Sequence, residues 1–406
     1  MDSMIRKLLS ELPRLETNRA RAATCKICAS PAVLFDAVDF NKHCSARRPY
    51  EFGLSGIQVQ YYRCTKCAFI FTKFLDDWTP DEVARFIYNA DYVKVDPEYL
   101  GERARRTAAD MARLLVGCER LRILDYGSGS GRFAKEMTER GFVSVEGYDP
   151  FSSPLRPPGP FDLVTCFEVI EHSPDPIATM RDMCEVLSVG GAIIIGQSLQ
   201  PSNIDEIGGR WWYVAPRNGH VSMFAEESFV ALASQVNLTY YRGVDVYPFA
   251  RQNPTPVVLH AITQIGVPAS VISLTAPQAP ARSPGWHDVE NGSDGMFRWT
   301  GDSAIRWPNA ELGGGITVIK IPFISEIYDG FSQRCRIFVD TEEIPTRVQG
   351  YKLVAEVTRR DPLRADIWLQ TPPPATPMEL RGVPDHRSLG LAIRCARYFA
   401  DNTGDY

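Results

Sequence analysis

Two glutamates and two histidines near the middle of the chain have side chains that can move a proton. Glu168, Glu171 and His172 directly follow the apolar run 161–167, and His220 lies in a later segment rich in tryptophan and glycine. An unperturbed imidazole titrates near neutral pH, so His220 is the candidate general base. A structural role for a lone histidine is the alternative.

Four cysteines near the N-terminus form two Cys-x-x-Cys pairs, Cys25 with Cys28 and Cys64 with Cys67. Each pair can present two thiolates from one tight turn, and two pairs complete a tetrahedral Zn²⁺ site. Disulfides are the alternative, but a cytoplasmic chain disfavours them. Four protein ligands leave no open position for water, so we predict a structural zinc ion in a zinc ribbon.

A glycine-rich turn precedes the proton-moving groups and could bind a nucleoside. An apolar run ends in an acid at position 125, and three glycines spaced two apart lead into a helical pattern. Glycine permits a positive φ and the close approach of a ligand, and the helix start offers free N–H groups. Asp149 ends the next apolar run, where a carboxylate can accept hydrogen bonds from both ribose hydroxyls. The residues of the turn are Asp125, Gly127, Ser128, Gly129 and Gly131.

The elements that position these groups alternate between strand and helix patterns. Apolar runs at 121–124, 143–148, 161–167 and 192–196 are separated by helical segments. Such alternation predicts an α/β fold with a mostly parallel sheet covered by helices on both faces. Five prolines lie between Asp149 and Phe161, so the helix and strand expected there are shortened or lost.

Taken in order, the segments LDYGSGSG, GYDP, FDLVTCFEVIEH and LSVGGAIII resemble the successive motifs of the class I S-adenosylmethionine-dependent methyltransferases. The resemblance covers about residues 120–260. It implies a Rossmann-like core and S-adenosylmethionine as cofactor, held by the glycine turn, Asp149 and Phe167. It also suggests that Tyr88 and Tyr92 fold over the cofactor as a lid, with packing between domains as the alternative.

Two further resemblances concern the proton-moving groups. A histidine shortly before Phe-x-x-x-Ser-Phe, as at His220, is similar to the placement of the proposed base in sugar methyltransferases. The Glu-x-x-Glu-His set with a distant histidine resembles the metal site of Mg²⁺-dependent RNA 2′-O-methyltransferases. The resemblances therefore leave two mechanisms open, with and without a catalytic cation.

The segment 208–220 contains the candidate substrate contacts. Adjacent aromatic side chains suit stacking on sugar faces, and a basic side chain could contact an acidic group of the substrate. Packing under a long loop is the alternative. These candidates are Trp211, Trp212, Tyr213 and Arg217.

Short β-like runs with frequent proline and glycine fill the chain from about residue 267 and predict an all-β sandwich. This part resembles an accessory domain found on enzymes of bacterial polysaccharide clusters, which suggests glycan binding or docking to polysaccharide-biosynthesis enzymes. We therefore expect four segments. They are a leucine-rich helix and zinc module (1–75), a helical connector and lid (76–118), the cofactor-binding domain (119–266) and the β-sandwich (267–406).

Charge and hydropathy narrow the function classes. The net charge of −5 argues against nucleic acid as a partner. No run of 18 apolar residues and no secretory signal occur in the sequence, so we expect a cytoplasmic protein. The expected activity is methylation of a sugar hydroxyl. The sugar belongs either to a nucleotide-sugar or to a growing surface glycan. The alternatives are a deoxysugar C-methyltransferase, a metal-dependent RNA 2′-O-methyltransferase and a non-catalytic glycan-binding scaffold.

Overall fold

A computed structural model describes residues 22–44, 52–153, 155–274, 286–292, 295–381, 384–385 and 387–394. The leucine-rich helix expected near Leu8–Leu15 lies outside these ranges. The chain divides into two compact units, residues 1–268 and residues 269–406.

The strands of the first unit lie in two sheets. They are β1 (Ala22–Thr24), β2 (Pro31–Asp39), β3 (Gln58–Cys64), β4 (Ile70–Thr72), β5 (Arg122–Tyr126), β6 (Ser144–Tyr148), β7 (Phe161–Phe167), β8 (Leu187–Gly196), β9 (Ser222–Met223), β10 (Thr239–Arg242) and β11 (Val246–Ala250). The helices of this unit are α1 (Pro80–Phe86), α2 (Tyr92–Val95), α3 (Glu102–Leu114), α4 (Arg132–Glu139), α5 (Pro176–Val186), α6 (Ile204–Ile207), α7 (Glu226–Gln235) and α8 (Pro256–Ile265).

The central sheet of the first unit is mixed and largely parallel. Its order is β10-β11-β8-β7-β5-β6, with β6, β5, β7 and β8 parallel and β11 antiparallel to β8. The central strands are almost continuously buried, as expected for a sheet with helices on both faces. The Rossmann-like core predicted from the sequence is confirmed. Among the described residues between Asp149 and Phe161 there is no helix or strand, so β6 is the edge strand.

A smaller antiparallel sheet carries the cysteine pairs, in the order β1-β2-β3-β4-β9. Its last strand comes from far along the chain, because Ile70 of β4 pairs with Met223 of β9. The apolar faces of this sheet, of α1 and α2, and of the segment 204–223 share one core. Helix α1 begins at Thr79, whose hydroxyl and the Glu82 carboxylate form a reciprocal capping box. The smaller sheet is therefore built around the segment that carries His220.

The second unit is rich in strands, and side chains from two sheets enclose its apolar core. One sheet contains four strands, at residues 304–312, 336–339, 342–344 and 363–370, and the other contains the remaining strands of this unit. Its elements are β12 (Val267–Ser273), β13 (Trp286–Gly292), β14 (Gly295–Thr300), β15 (Ala304–Leu312), β16 (Gly315–Glu326), β17 (Arg336–Val339), β18 (Glu342–Ile344), β19 (Thr346–Val348), β20 (Lys352–Arg359), β21 (Leu363–Gln370), α9 (Pro377–Arg381) and β22 (Leu391–Arg394).

No helix in the described part of the chain is long and apolar enough to cross a membrane.

Candidate active site

The glycine turn between β5 and α4 has the backbone geometry that only glycine adopts readily. Gly127, Gly129 and Gly131 all have positive φ values, of 76°, 49° and 73°. A Cβ atom at Gly127 would also overlap the side chain of Val169, in the loop after β7. The turn is thus closed against that loop, and α4 starts directly after it.

Asp149 is fixed at the end of β6 by the glycine turn. Its Oδ2 accepts a hydrogen bond from the N–H of Gly129 at 3.0 Å, and its Oδ1 accepts one from the N–H of Phe151 at 2.9 Å. Oδ1 also accepts a hydrogen bond from the N–H of Ser152 at 3.3 Å, so the lone pair left for a ligand hydroxyl is on Oδ2. The geometry agrees with the role of ribose acceptor, which stays a prediction.

Asp125 lies deeper in the sheet than Asp149. It is 4% exposed, and its Oδ1 accepts a hydrogen bond from the Thr165 hydroxyl at 3.2 Å. Burial, with a smaller contribution from the Asp149 carboxylate, raises the pKa of Asp125 to about 7. A positively charged ligand beside it would favour the ionised form.

We expect Asp149→Ala to weaken the binding of S-adenosylhomocysteine about 100-fold. The variant removes a hydrogen bond from a ribose hydroxyl to a charged acceptor, worth up to roughly 3 kcal/mol. Isothermal titration calorimetry measures the change. Asp162→Ala is the matched control, because Asp162 also accepts a backbone N–H, that of Arg122, but lies at the opposite end of the sheet. Equal affinity in both variants would contradict the ribose role.

Glu171, His172 and His220 form one buried cluster beside the carboxyl end of β7. One ligand atom from each lies within 4.8 Å of the others, and the rings of the two histidines are in edge contact at 4.9 Å. The Tyr213 hydroxyl donates to Glu171 Oε1 at 2.8 Å. The structure therefore brings together three of the four residues predicted to move a proton.

Hydrogen bonds to carbonyl groups fix the tautomers of both histidines. His220 Nδ1 lies 2.9 Å from the Tyr213 carbonyl oxygen, and His172 Nδ1 lies 3.2 Å from that of Gly219. A carbonyl only accepts, so each Nδ1 carries the proton and each Nε2 is the basic nitrogen. Burial lowers the pKa of His172 to about 4, and burial together with His172 holds the pKa of His220 well below 6.5. Both rings are neutral at pH 7 and can accept a proton.

Glu168 lies apart from the cluster of Glu171, His172 and His220. It is held at a positive φ of 54°, and its N–H donates to the Gly196 carbonyl at 2.9 Å. A non-glycine residue in this conformation is strained, and such residues are concentrated at functional sites. Burial raises the pKa of Glu168, and the nearby Arg103 opposes this shift. Glu168 lines a cavity next to the cluster rather than joining the cluster itself.

The cluster offers ligands to a divalent cation, although one predicted ligand is outside it. Glu171 Oε2 is buried and has no hydrogen-bond partner in the described part of the chain, which leaves it available to a cation. Two imidazoles and one carboxylate suit a transition metal better than Mg²⁺, which prefers oxygen ligands. Glu168 is not part of this set. The residues therefore fit a zinc-like ion more closely than the magnesium considered from the sequence.

The four paired cysteines meet as a compact group of free thiols. Sulfur–sulfur distances are 3.7 Å for Cys25–Cys67, 3.4 Å for Cys28–Cys64 and 3.5 Å for Cys28–Cys67. A disulfide requires about 2.05 Å. Tetrahedral zinc with Zn–S bonds of about 2.3 Å places the sulfurs about 3.8 Å apart. The arrangement fits a structural zinc ion, which stays a prediction.

The cysteine-bearing sheet holds the loop 211–220 in place. The Lys42 ammonium donates to the carbonyls of Trp211 and Val214, and the Tyr61 hydroxyl donates to the carbonyl of His220 at 2.8 Å. Both donors are buried. Neither Lys42 nor Tyr61 was identified from the sequence, because they contact the loop about 160 residues away and no local pattern marks them.

Three of the four predicted substrate contacts need correction. Trp211 is 5% exposed and Tyr213 is fully buried, so both pack in the core beneath the loop and do not offer a face to a sugar. Trp212 is 51% exposed, so its ring is accessible to a sugar, and its role as a substrate contact stays a prediction. Arg217 is also buried and donates to the Ile87 carbonyl at 3.0 Å. Its guanidinium therefore holds the segment after α1 and is not free for an acidic substrate.

The two candidate lid tyrosines lie over the cluster. The Tyr88 ring is 6.0 Å from the His172 ring and 6.5 Å from that of Phe151, next to Asp149. Tyr92 is buried, and its hydroxyl donates to the Asn218 carbonyl at 3.3 Å. Tyr88 is thus placed between the proton-moving cluster and the ribose candidate. Phe167 packs against Phe133 of α4 at 5.1 Å, below the glycine turn.

Comparisons with known proteins agree with this geometry. Residues 99–242 match the family model described as a methyltransferase domain. A ubiquinone biosynthesis O-methyltransferase of Pseudomonas aeruginosa is 30% identical over 100 residues, which cover 18% of this chain and 43% of that protein. The chain thus spans less than half the length of this relative. The enzyme with the same name in Azoarcus sp. is 23% identical over 180 residues, which cover 34% of this chain and 77% of that protein.

A solved structure from Thermotoga maritima, described as an S-adenosylmethionine-dependent methyltransferase and possible histamine N-methyltransferase, is 15% identical. The superposition has a TM-score of 0.28 and covers 40% of this chain and 97% of that one. The motif order, the sheet topology and the family match agree on the central region. Residues 99–242 of this chain therefore match a methyltransferase domain, and this stretch contains the parallel strands of the Rossmann-like core.

Proposed function

We propose that this protein transfers a methyl group from S-adenosylmethionine to a hydroxyl oxygen of a sugar, either in a nucleotide-sugar or in a surface glycan. The observation that carries the proposal is the histidine pair His172–His220 beside the buried Glu171. An alcohol acceptor must lose a proton, and His220 presents a neutral imidazole with Nε2 as its basic nitrogen. A methyltransferase for an already nucleophilic acceptor would not need such a base.

The chain's own residues would contribute alignment and proton transfer. S-adenosylmethionine, when bound, supplies an electrophilic methyl group. Asp149 and the glycine turn orient the cofactor, and Tyr88 covers it. His220 accepts the hydroxyl proton at Nε2 as the methyl group passes from the cofactor sulfur to the acceptor oxygen. Glu171 lies beside it, and burial together with the nearby Glu168 raises the pKa of Glu171.

Three observations favour a sugar hydroxyl oxygen over the alternative acceptors. The deoxysugar C-methyltransferases that resemble this chain end in a second α/β domain, whereas residues 269–406 here are mainly strands. RNA would require a positive surface, whereas the chain carries a net charge of −5. The exposed indole of Trp212 offers an apolar face of the kind that sugars stack on.

The test begins with calorimetry of S-adenosylhomocysteine and continues with tritiated S-adenosylmethionine. The acceptors are methyl glycosides, UDP-glucose and dTDP-rhamnose, with a short RNA as the comparison. We expect micromolar binding of the cofactor product and label in a sugar as an alkali-stable methyl ether. Transfer to RNA with a steep salt dependence would support the RNA alternative. Absence of any binding of S-adenosylhomocysteine would overturn the enzyme proposal.

A further inference from the structure

A cavity of about 460 Å³ opens between α3 and the carboxyl ends of β7 and β8. This is within the range of small-molecule sites, about 300–1,000 Å³. Phe167 and Glu168 line it on the side of the candidate cofactor site, and Val244 and Val246 line it on the side of β11. The cavity therefore lies where a second substrate can meet the cofactor, at the carboxyl edge of the sheet.

Gln197 lies in the wall of this cavity and is in an unusual state. The side chain is 3% exposed, and neither its amide oxygen nor its amide nitrogen has a hydrogen-bond partner among the residues that the structure describes. An unpaired buried amide is unfavourable for folding, and such groups call for an explanation. An amide can both donate to and accept from hydroxyl groups, so a polyhydroxylated ligand would satisfy it.

The charges around the cavity argue against a phosphate-bearing ligand. Two cations occur among the described residues that line it, and each is paired with an acid: Arg103 with Asp96 and Arg113 with Asp110. The Arg103 guanidinium donates to both Asp96 oxygens, at 2.7 and 2.9 Å. The lining carboxylates of Asp110, Glu168 and Asp245 outnumber the two arginines. A diphosphate would need unpaired arginine or lysine side chains.

We infer that this cavity holds an uncharged glycosyl ring of the acceptor and not a nucleoside diphosphate, and that Gln197 selects the ring by its hydroxyls. The inference rests on the proposed function and narrows it to a glycan chain. Neither His172 nor His220 lines the cavity, so the reacting hydroxyl lies outside it, beside the histidine cluster. Phe167 on one side of the cavity and Val246 on the other provide apolar contacts for the ring.

The experiment uses the full chain saturated with S-adenosylhomocysteine and saturation-transfer NMR. The probes are methyl α-D-mannopyranoside, methyl α-L-rhamnopyranoside and methyl β-D-glucopyranoside, with UDP as the charged comparison. At least one glycoside should bind and UDP should not compete with it. Gln197→Leu should weaken glycoside binding about tenfold while the affinity for S-adenosylhomocysteine is unchanged.

Thermal unfolding separates recognition from a structural role. Gln197→Leu should leave the melting temperature unchanged or raise it, because an unpaired buried amide is removed. Gln200→Leu is the matched control and should lower the melting temperature, since the Gln200 amide nitrogen donates to the carbonyls of Ala68 and Met223 at 2.8 and 3.0 Å.

Three results would overturn the inference while cofactor binding stands. They are glycoside binding that is unchanged in Gln197→Leu, competition by UDP, and no binding of any glycoside. A wild-type protein that does not bind S-adenosylhomocysteine would instead contradict the proposed function, and this inference with it.

Discussion

The variant His220→Gln is expected to transfer methyl groups about 100- to 10,000-fold more slowly than the wild type. Glutamine has an amide that can still donate a hydrogen bond, but it has no basic nitrogen. The affinity for S-adenosylhomocysteine should be unchanged, because the loss concerns the chemical step. Single-turnover rates with tritiated cofactor and calorimetry measure the two quantities separately.

The pH profile of the wild type gives a second measurement of the same role. Burial disfavours the imidazolium form, so the pKa of His220 lies well below 6.5 and the base stays unprotonated as the pH falls to 6. The acidic limb of kcat/KM should therefore appear below the range of a free imidazole. His260→Gln is the control, since His260 lies on α8 and its ring contacts only the Val116 carbonyl among the hydrogen bonds described. A His220→Gln variant with wild-type turnover would exclude His220 as the base.

Replacing Cys64 by serine is expected to destabilise the first unit and to reduce methyl transfer at least 100-fold. A structural zinc site contributes its binding free energy to folding, on the order of 10 kcal/mol for small zinc modules. The loss reaches the active site because β4 pairs with β9, directly after His220, and because Tyr61 donates to the His220 carbonyl. Elemental analysis should find one zinc per chain in the wild type, and calorimetric unfolding should show a lower melting temperature for the variant.

The matched control for Cys64→Ser is Cys184→Ser. Cys184 lies in α5 and outside the group of four thiols, so its replacement should change neither zinc content nor transfer rate. A Cys64→Ser protein with full zinc content and wild-type activity would show that the four cysteines hold no structural metal. Treatment of the wild type with a strong chelator should reproduce the variant, since it removes the ion and leaves the thiols.

Local sequence patterns were sufficient for the core because its signals are short-range. The glycines of the turn and Asp149 occur within one strand–helix–strand unit, and the structure places Gly129 and Asp149 in direct contact. The prolines after Asp149 correctly indicated a missing strand, because proline cannot donate to a sheet. Periodicity and turn chemistry thus predict this part of the fold.

The loop 211–220 could not be predicted in the same way. Its aromatic residues have no periodicity that distinguishes an exposed ring from a buried one, so Trp211 and Trp212 looked equivalent in the sequence although their exposures are 5% and 51%. The difference arises from contacts with Lys42 and its neighbours, which are distant in sequence. The separation of Glu168 from the histidine cluster likewise depends on a positive φ that no residue type predicts.

The late arrival of β9 has a consequence for how the chain is made. During synthesis, β1 to β4 emerge with the outer edge of β4 lacking a partner, and an open edge invites pairing with other chains. The residues that close this edge, Ser222 and Met223, follow only after the entire glycine turn and most of the central sheet. The pairing of β9 with β4 closes this edge and at the same time fixes the loop that carries His220. Chains whose N-terminal sheet is left open therefore also lack a formed catalytic centre.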